Sequence, residues 1–173
     1  MALINPKRKE IQLKIVYFGP GRCGKTTNLE YMYERFSKHA KGNFTQLKTY
    51  GDRTLFFDYF PFDVGKIRGM DISIQFYTVP GQNRYADTRQ LVLKGADGVV
   101  FVADSLKIRR KANIISLQNL NDLLKAIGKN LSSIPMVMQY NKQDLGLNGH
   151  DILSTAELDR DLNHTLKAPI FKA

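Results

Sequence analysis

Residues 13–29, LKIVYFGPGRCGKTTNL, constrain the fold more than any other stretch. Their first part is nearly continuous in apolar and bulky residues, the pattern of a strand covered on both faces. It breaks at Gly19, and helix-forming residues follow. Gly19, four residues, then Gly24, Lys25 and Thr26 satisfy G-x-x-x-x-G-K-[ST]. In such a loop the glycines let backbone N–H groups turn inward around phosphate oxygens, and the following helix presents its positive end. Lys25 can then reach β and γ oxygens, and the Thr26 hydroxyl can serve Mg²⁺. The bland alternative is a glycine-rich turn with a surface lysine, but strand, loop and helix occur in the required order. Cys23, inside the loop, reads as packing rather than as a nucleophile.

The rest of the chain repeats the alternation. GVVFVAD (98–104) and PMVMQYN (135–141) are again almost continuously apolar and predict central parallel strands. LFFDYF (55–60) and DISIQFY (71–77) alternate, which predicts an antiparallel pair nearer an edge. Helices are expected over 25–36, 85–94 and 108–127, and in the last of these Leu117, Leu120, Leu124 and Ile127 share a face, with Gly128 as a left-handed stop. Ser154 and Glu157 form a capping-box pattern ahead of a fourth helix, and APIFKA is a final strand. Strands alternating with helices imply right-handed crossovers, a doubly wound α/β sheet of P-loop NTPase type, and ligands beyond the carboxyl ends of the strands.

With 173 residues, 43 % hydrophobic and 24 % charged, one globular domain over 1–173 is expected. The single cysteine excludes an intramolecular disulfide, and His39, His150 and His164 lack metal-ligand spacing. A cytoplasmic protein is the expectation. The N-terminal apolar stretch is short and runs straight into the glycine loop, residue 2 is Ala, and no cysteine lies near the C-terminus, so no intrinsic membrane anchor is expected. A net charge of +10 favours an anionic partner. Yet PKRK (6–9) and KIRRK (107–111) are the only tight clusters, and neither is interleaved with aromatics; they read as solvated surface, not as a nucleic-acid site.

NKQD (141–144) follows the strand ending at Tyr140 and has the N-K-x-D form of guanine recognition. The Asp144 carboxylate can accept from the N1–H and exocyclic amine of guanine, a donor pair adenine lacks. Asn141, Lys142 and Asp144 are therefore the candidate base-binding residues.

The stretches GPGRCGKTTNL (19–29), DRTLFFDY (52–59), TVPGQ (78–82), LVLKGADGVVFVADS (91–105) and QYNKQDL (139–145) together resemble the small Ras-like GTPases. Within them they are similar to the bacterial MglA type, which controls cell polarity and gliding motility. The resemblance implies a switch that binds GTP or GDP with Mg²⁺ and hydrolyses GTP. It extends the phosphate cradle to Gly21, Arg22, Cys23 and Thr27, and gives Thr54 to Mg²⁺ beside Thr26. It places Gly81 on the γ-phosphate, Gln82 on the attacking water, and Arg53 as an arginine finger supplied in cis. Thr78 stands where an acidic residue usually helps hold Mg²⁺. The implied partners are a Roadblock-fold MglB-type dimer that activates hydrolysis, and polarity or motility effectors of the GTP state, with recruitment to a cell pole.

Ras-like domains continue past the last strand into an S-A-x loop and a final helix, and this sequence stops at Ala173, so that helix is expected to be missing. Two other functions stay open: a guanine-nucleotide-binding scaffold with little hydrolysis, and a basic P-loop ATPase in which Asp144 does not see a base.

Overall fold

In the computed structural model, residues 2–39, 44–47, 57–81 and 86–173 are described. The 13–19 stretch lies in strand β2, Glu10–Phe18, which begins earlier than its apolar run and ends at the glycine loop. Helix α1, Lys25–Arg35, follows directly. The remaining elements are β1 (Leu3–Asn5), β3 (Thr45–Leu47), β4 (Phe57–Ile67), β5 (Met70–Thr78), α2 (Ala86–Leu93), β6 (Gly98–Asp104), α3 (Arg110–Ala126), β7 (Met136–Asn141), α4 (Thr155–Leu162) and β8 (Ile170–Lys172).

Among the described residues the strands form one sheet in the order β3-β4-β5-β2-β6-β7-β8, with β1 paired to β2 off this path. From β5 through β8 all pairings are parallel, while β3–β4, β4–β5 and β1–β2 are antiparallel. The expected antiparallel pair is present, but β5 lies inside the sheet, parallel to β2 from Glu10↔Asp71 to Tyr17↔Thr78. Strand β4 runs on to Ile67, through Pro61 and a register shift between Asp63 and Gly65. Pro61 lies beyond residues 57–59, the part of β4 that pairs with β3, so among the described residues no strand is paired to the outer edge at that level, where a proline is tolerated.

Side-chain alternation in β2 divides the core. Val16 and Phe18 face a cluster with Phe101 of β6, Tyr140 of β7, and Val92, Leu93, Leu120, Leu124 and Leu158, brought by α2, α3 and α4. Tyr17 faces the other way, with Leu29 of α1, Cys23 and Val102. The spacing read in α3 holds: Leu120 and Leu124 are fully buried, Leu117 and Ile127 pack against the same cluster, and Gly128 takes φ 73°. The capping box also forms, with the Ser154 hydroxyl accepting from Glu157 N–H and Glu157 accepting from Ser154 N–H. No helix among the described residues is long and apolar enough to cross a membrane.

Candidate nucleotide site

Strands β2, β6 and β7 are parallel neighbours, so their carboxyl ends lie together. Three segments meet there: the glycine loop after β2, residues 104–109 after β6, and NKQD after β7.

The glycine loop folds around Lys25. This residue is 6 % exposed, and its Nζ donates to the carbonyl oxygens of Gly19 at 3.0 Å and Pro20 at 2.7 Å. Gly24 caps α1 in a left-handed conformation, φ 97°, and a Cβ there would overlap the Asn141 side-chain amide. The first turn of α1 carries no acidic residue, so its N-terminal N–H groups keep their positive end. Thr26 is half-buried on that turn, while Thr27 is exposed, as is Arg22 with φ 62°. Cys23 is fully buried, and burial pushes its thiol pKa up despite the nearby Lys25, which suits packing and not nucleophilic chemistry.

From β5, Thr78-Val79-Pro80-Gly81 returns to the same loop. Thr78 is buried. The Gly81 backbone approaches Gly21 so closely that a Cβ on Gly81 would meet Gly21 N and Pro20 C. Gly81 therefore borders the glycine loop. Arg53, Thr54 and Gln82 lie outside the described residues.

The NKQD turn is tied to the glycine loop. Asn141 Nδ2 donates to the Cys23 carbonyl at 2.7 Å, and Gln139, two residues earlier on β7, donates to Asn28 Oδ1 at 2.6 Å. Asn28 in turn donates to the Gly24 carbonyl at 2.7 Å. Lys142 is left-handed, φ 68°, and its Nζ lies 2.7 Å from Oδ2 of Asp104, a carboxylate with no exposure. Asp144 lies in the first turn of the 3-10 segment Gln143–Gly146 and is exposed. The donor set at this end of the sheet is thus a backbone cradle, a buried ammonium and Thr hydroxyls, with a carboxylate at the neighbouring turn. Hydroxyl oxygen is a hard ligand of the kind Mg²⁺ takes alongside phosphate oxygens.

The Arf family of ADP-ribosylation factors matches residues 2–167. The chain belongs to this family of small GTPases. Membership in the Arf family implies guanine-nucleotide binding and the hydrolysis of GTP. A second comparison narrows the kinship: the chain is 49 % identical over 164 residues to Mutual gliding-motility protein MglA of Myxococcus xanthus (strain DK1622), covering 95 % of this chain and 82 % of that protein. It is also 27 % identical to an uncharacterized protein of Methanocaldococcus jannaschii, over 80 % of this chain and 75 % of that one. The Ras-like, MglA-type resemblance carried by the motifs is therefore sound.

The basic run KIRRK, expected to be solvated surface, is exposed at Lys107, Ile108 and Lys111, and Arg109 is the exception: its Nη2 donates to the Gly21 carbonyl at 2.6 Å. Arg110 makes a two-pronged pair with Asp161, at 2.7 and 2.9 Å. The physical reason is proximity to a buried anion. Asp104 ends β6 three residues before the 3-10 turn Lys107–Arg109, and a carboxylate without solvent draws Arg109 towards it. Asn113 was also missed; it accepts from Asp104 N–H at 3.0 Å and donates to Asp104 O at 2.8 Å. The one available signal was an Asp at the carboxyl end of an apolar strand, followed by a basic run.

Proposed function

We propose that the chain is a GTP-operated switch that hydrolyses GTP to GDP and phosphate and acts in bacterial cell polarity and gliding motility. The observation that carries the reading is the Asn141–Cys23 hydrogen bond, which joins an N-K-x-D turn to a G-x-x-x-x-G-K-T loop at one end of the sheet. Gly19, Gly21, Arg22, Cys23, Gly24, Lys25, Thr26 and Thr27 would surround the phosphates, and Asn141, Lys142 and Asp144 the guanine. Mg²⁺ would be held through Thr26 and Thr54 and would supply neutralisation of the phosphate charge.

Lys25 adds a buried cation to the cradle and stabilises charge that develops on the leaving phosphate. Gly81 offers its N–H to the γ-phosphate, and Gln82 orients the attacking water. Arg53, supplied in cis, neutralises the transferring phosphoryl group. A Roadblock-fold MglB-type dimer then needs only to arrange the two switch loops and not to donate a catalytic arginine, and effectors read the GTP state in the cytoplasm or at a cell pole. A second reading, a guanine-nucleotide scaffold with little hydrolysis, is favoured by Thr78. This buried neutral side chain stands where related domains carry an acidic one.

The test is displacement of a fluorescent GDP analogue in Mg²⁺ by GTP and by ATP. Displacement by GTP alone is expected; equal displacement by ATP would remove Asp144 from base recognition. Turnover then separates the two readings. Arg53→Ala is expected to keep nucleotide affinity and to lose roughly 10³- to 10⁵-fold in partner-stimulated hydrolysis. Unchanged stimulated turnover would sink the cis-arginine role.

A further inference from the structure

We infer that Arg109 is a positioning residue for the phosphate loop, anchored by the buried carboxylate of Asp104, which it shares with Lys142 of the base-recognition turn. The inference deepens the nucleotide-binding reading above and rests on it.

Asp104 is held from every side. Its Oδ1 accepts from Leu106 N–H at 3.1 Å, its Oδ2 from Lys142 Nζ at 2.7 Å, and Asn113 clamps both polar groups of its backbone. Such a carboxylate cannot swing out to water, and it fixes whatever pairs with it. Arg109 Nε lies 3.8 Å from the same Oδ2, and Nη2 of that guanidinium reaches Gly21 O. A planar fork can satisfy two partners at once, and a point-like ammonium cannot.

The consequence lies in the peptide planes. In a trans peptide the C=O and the next N–H point in opposite directions. Arg109 holds Gly21 O, so Arg22 N–H must face away from Arg109. Asn141 holds Cys23 O, so Gly24 N–H must face away from Asn141. Two side chains, reaching in from β7 and from the turn before α3, thus set alternate peptides of the loop and fix where its N–H groups aim. Arg22 sits at φ 62°, an uncommon conformation for a residue with a Cβ, and the charge-assisted bond to the preceding carbonyl offsets that cost. The base-recognition turn reaches the loop by two routes: directly through Asn141, and through Lys142, Asp104 and Arg109.

Arg109 therefore serves the phosphates and not the base. The test uses the full chain with Mg²⁺, and measures release of fluorescent GDP and of its inosine counterpart, IDP, which lacks the exocyclic amine. Arg109→Ala is expected to release both about tenfold faster, a change of about 1.4 kcal/mol, with the GDP-to-IDP ratio unchanged. Arg109→Lys, which keeps the charge beside Asp104 but not the second donor, should recover less than half of the lost hold on a logarithmic scale. Asp104→Asn should speed release too and, because Asp104 also pairs with Lys142, should still add in the Arg109→Ala background, but by less than it costs in the native chain. Release within twofold of the native chain in Arg109→Ala would overturn the inference, and so would a collapse of the GDP-to-IDP ratio. If the native chain itself bound no guanine nucleotide, the function proposed above would fall, and this inference with it.

Discussion

Gly24→Ala tests how closely the two nucleotide loops are fitted. Gly24 lies at φ 97°, and a Cβ there would run into the Asn141 amide that donates to Cys23 O. Left-handed backbone costs a residue with a Cβ about 1–2 kcal/mol. Pushing Asn141 aside forfeits a hydrogen bond worth about 0.5–1.5 kcal/mol net. The sum is roughly 1.5–3.5 kcal/mol, or about 12- to 300-fold in affinity at 1.4 kcal/mol per tenfold. The loop can relieve the strain by shifting locally while the sheet stays packed, so the loss should fall on guanine-nucleotide binding more than on the melting temperature. The assay is titration with fluorescent GDP in Mg²⁺, in the native and Asn141→Ala backgrounds. With the amide removed, only the backbone strain remains, and the penalty of Gly24→Ala should shrink to about 5- to 30-fold. Affinity within threefold of native would refute the argument outright, and an equal penalty in both backgrounds would refute the part assigned to Asn141.

Leu120→Ala removes a fully buried side chain where α3 meets the sheet, and should cost about 2–5 kcal/mol in urea unfolding. The fluorescent-GDP affinity of its folded fraction should be unchanged. Ser154→Ala deletes one half of the capping box and should cost about 1 kcal/mol. The hydrogen bond from Ser154 N–H holds the Glu157 carboxyl below its ordinary 4.5. That contribution to stability is complete above about pH 4.5 and is lost as pH falls through the lowered value, so Glu157→Gln should flatten the acid limb of the melting-temperature profile.

What the sequence made legible is what it carries contiguously. The glycine loop, the NKQD turn, the α3 spacing and the capping box are each short patterns whose geometry follows from local rules, and all four are found where expected. What it hid depends on contacts between distant residues. Strand β1 has three residues ahead of the exposed PKRK turn, too few to show a period, and exists because β2 runs on below β6 and leaves residues 10–12 to be paired. Strand β4 contains a proline and a glycine, both of which argue against a strand in sequence, yet it pairs with β5 from Tyr59 to Ile67 with a register shift between Asp63 and Gly65. Arg89 of α2 is fully buried against the ring of Phe18, 5.3 Å from its centroid, and burial lowers its pKa. Nothing in ADTRQLVL separates this arginine from a surface one.

Arg109 and Asp104 belong with these hidden features, and they show why a motif is less than a site. A glycine loop specifies a flexible backbone, and flexibility alone would leave its N–H groups unaimed. The aiming comes from partners 88 and 118 residues further along the chain, Arg109 to Gly21 and Asn141 to Cys23. Those partners are brought close only because β2, β6 and β7 are parallel neighbours with their carboxyl ends together. Asp104 makes the arrangement stiff at a cost. A carboxylate stripped of water must be compensated, and here a backbone N–H and an ammonium donate to it while the Arg109 guanidinium adds its charge at 3.8 Å. Once the carboxylate is fixed, each cation is held in turn, and the rigidity of the buried strand end passes outward to the loop that glycine alone would leave loose.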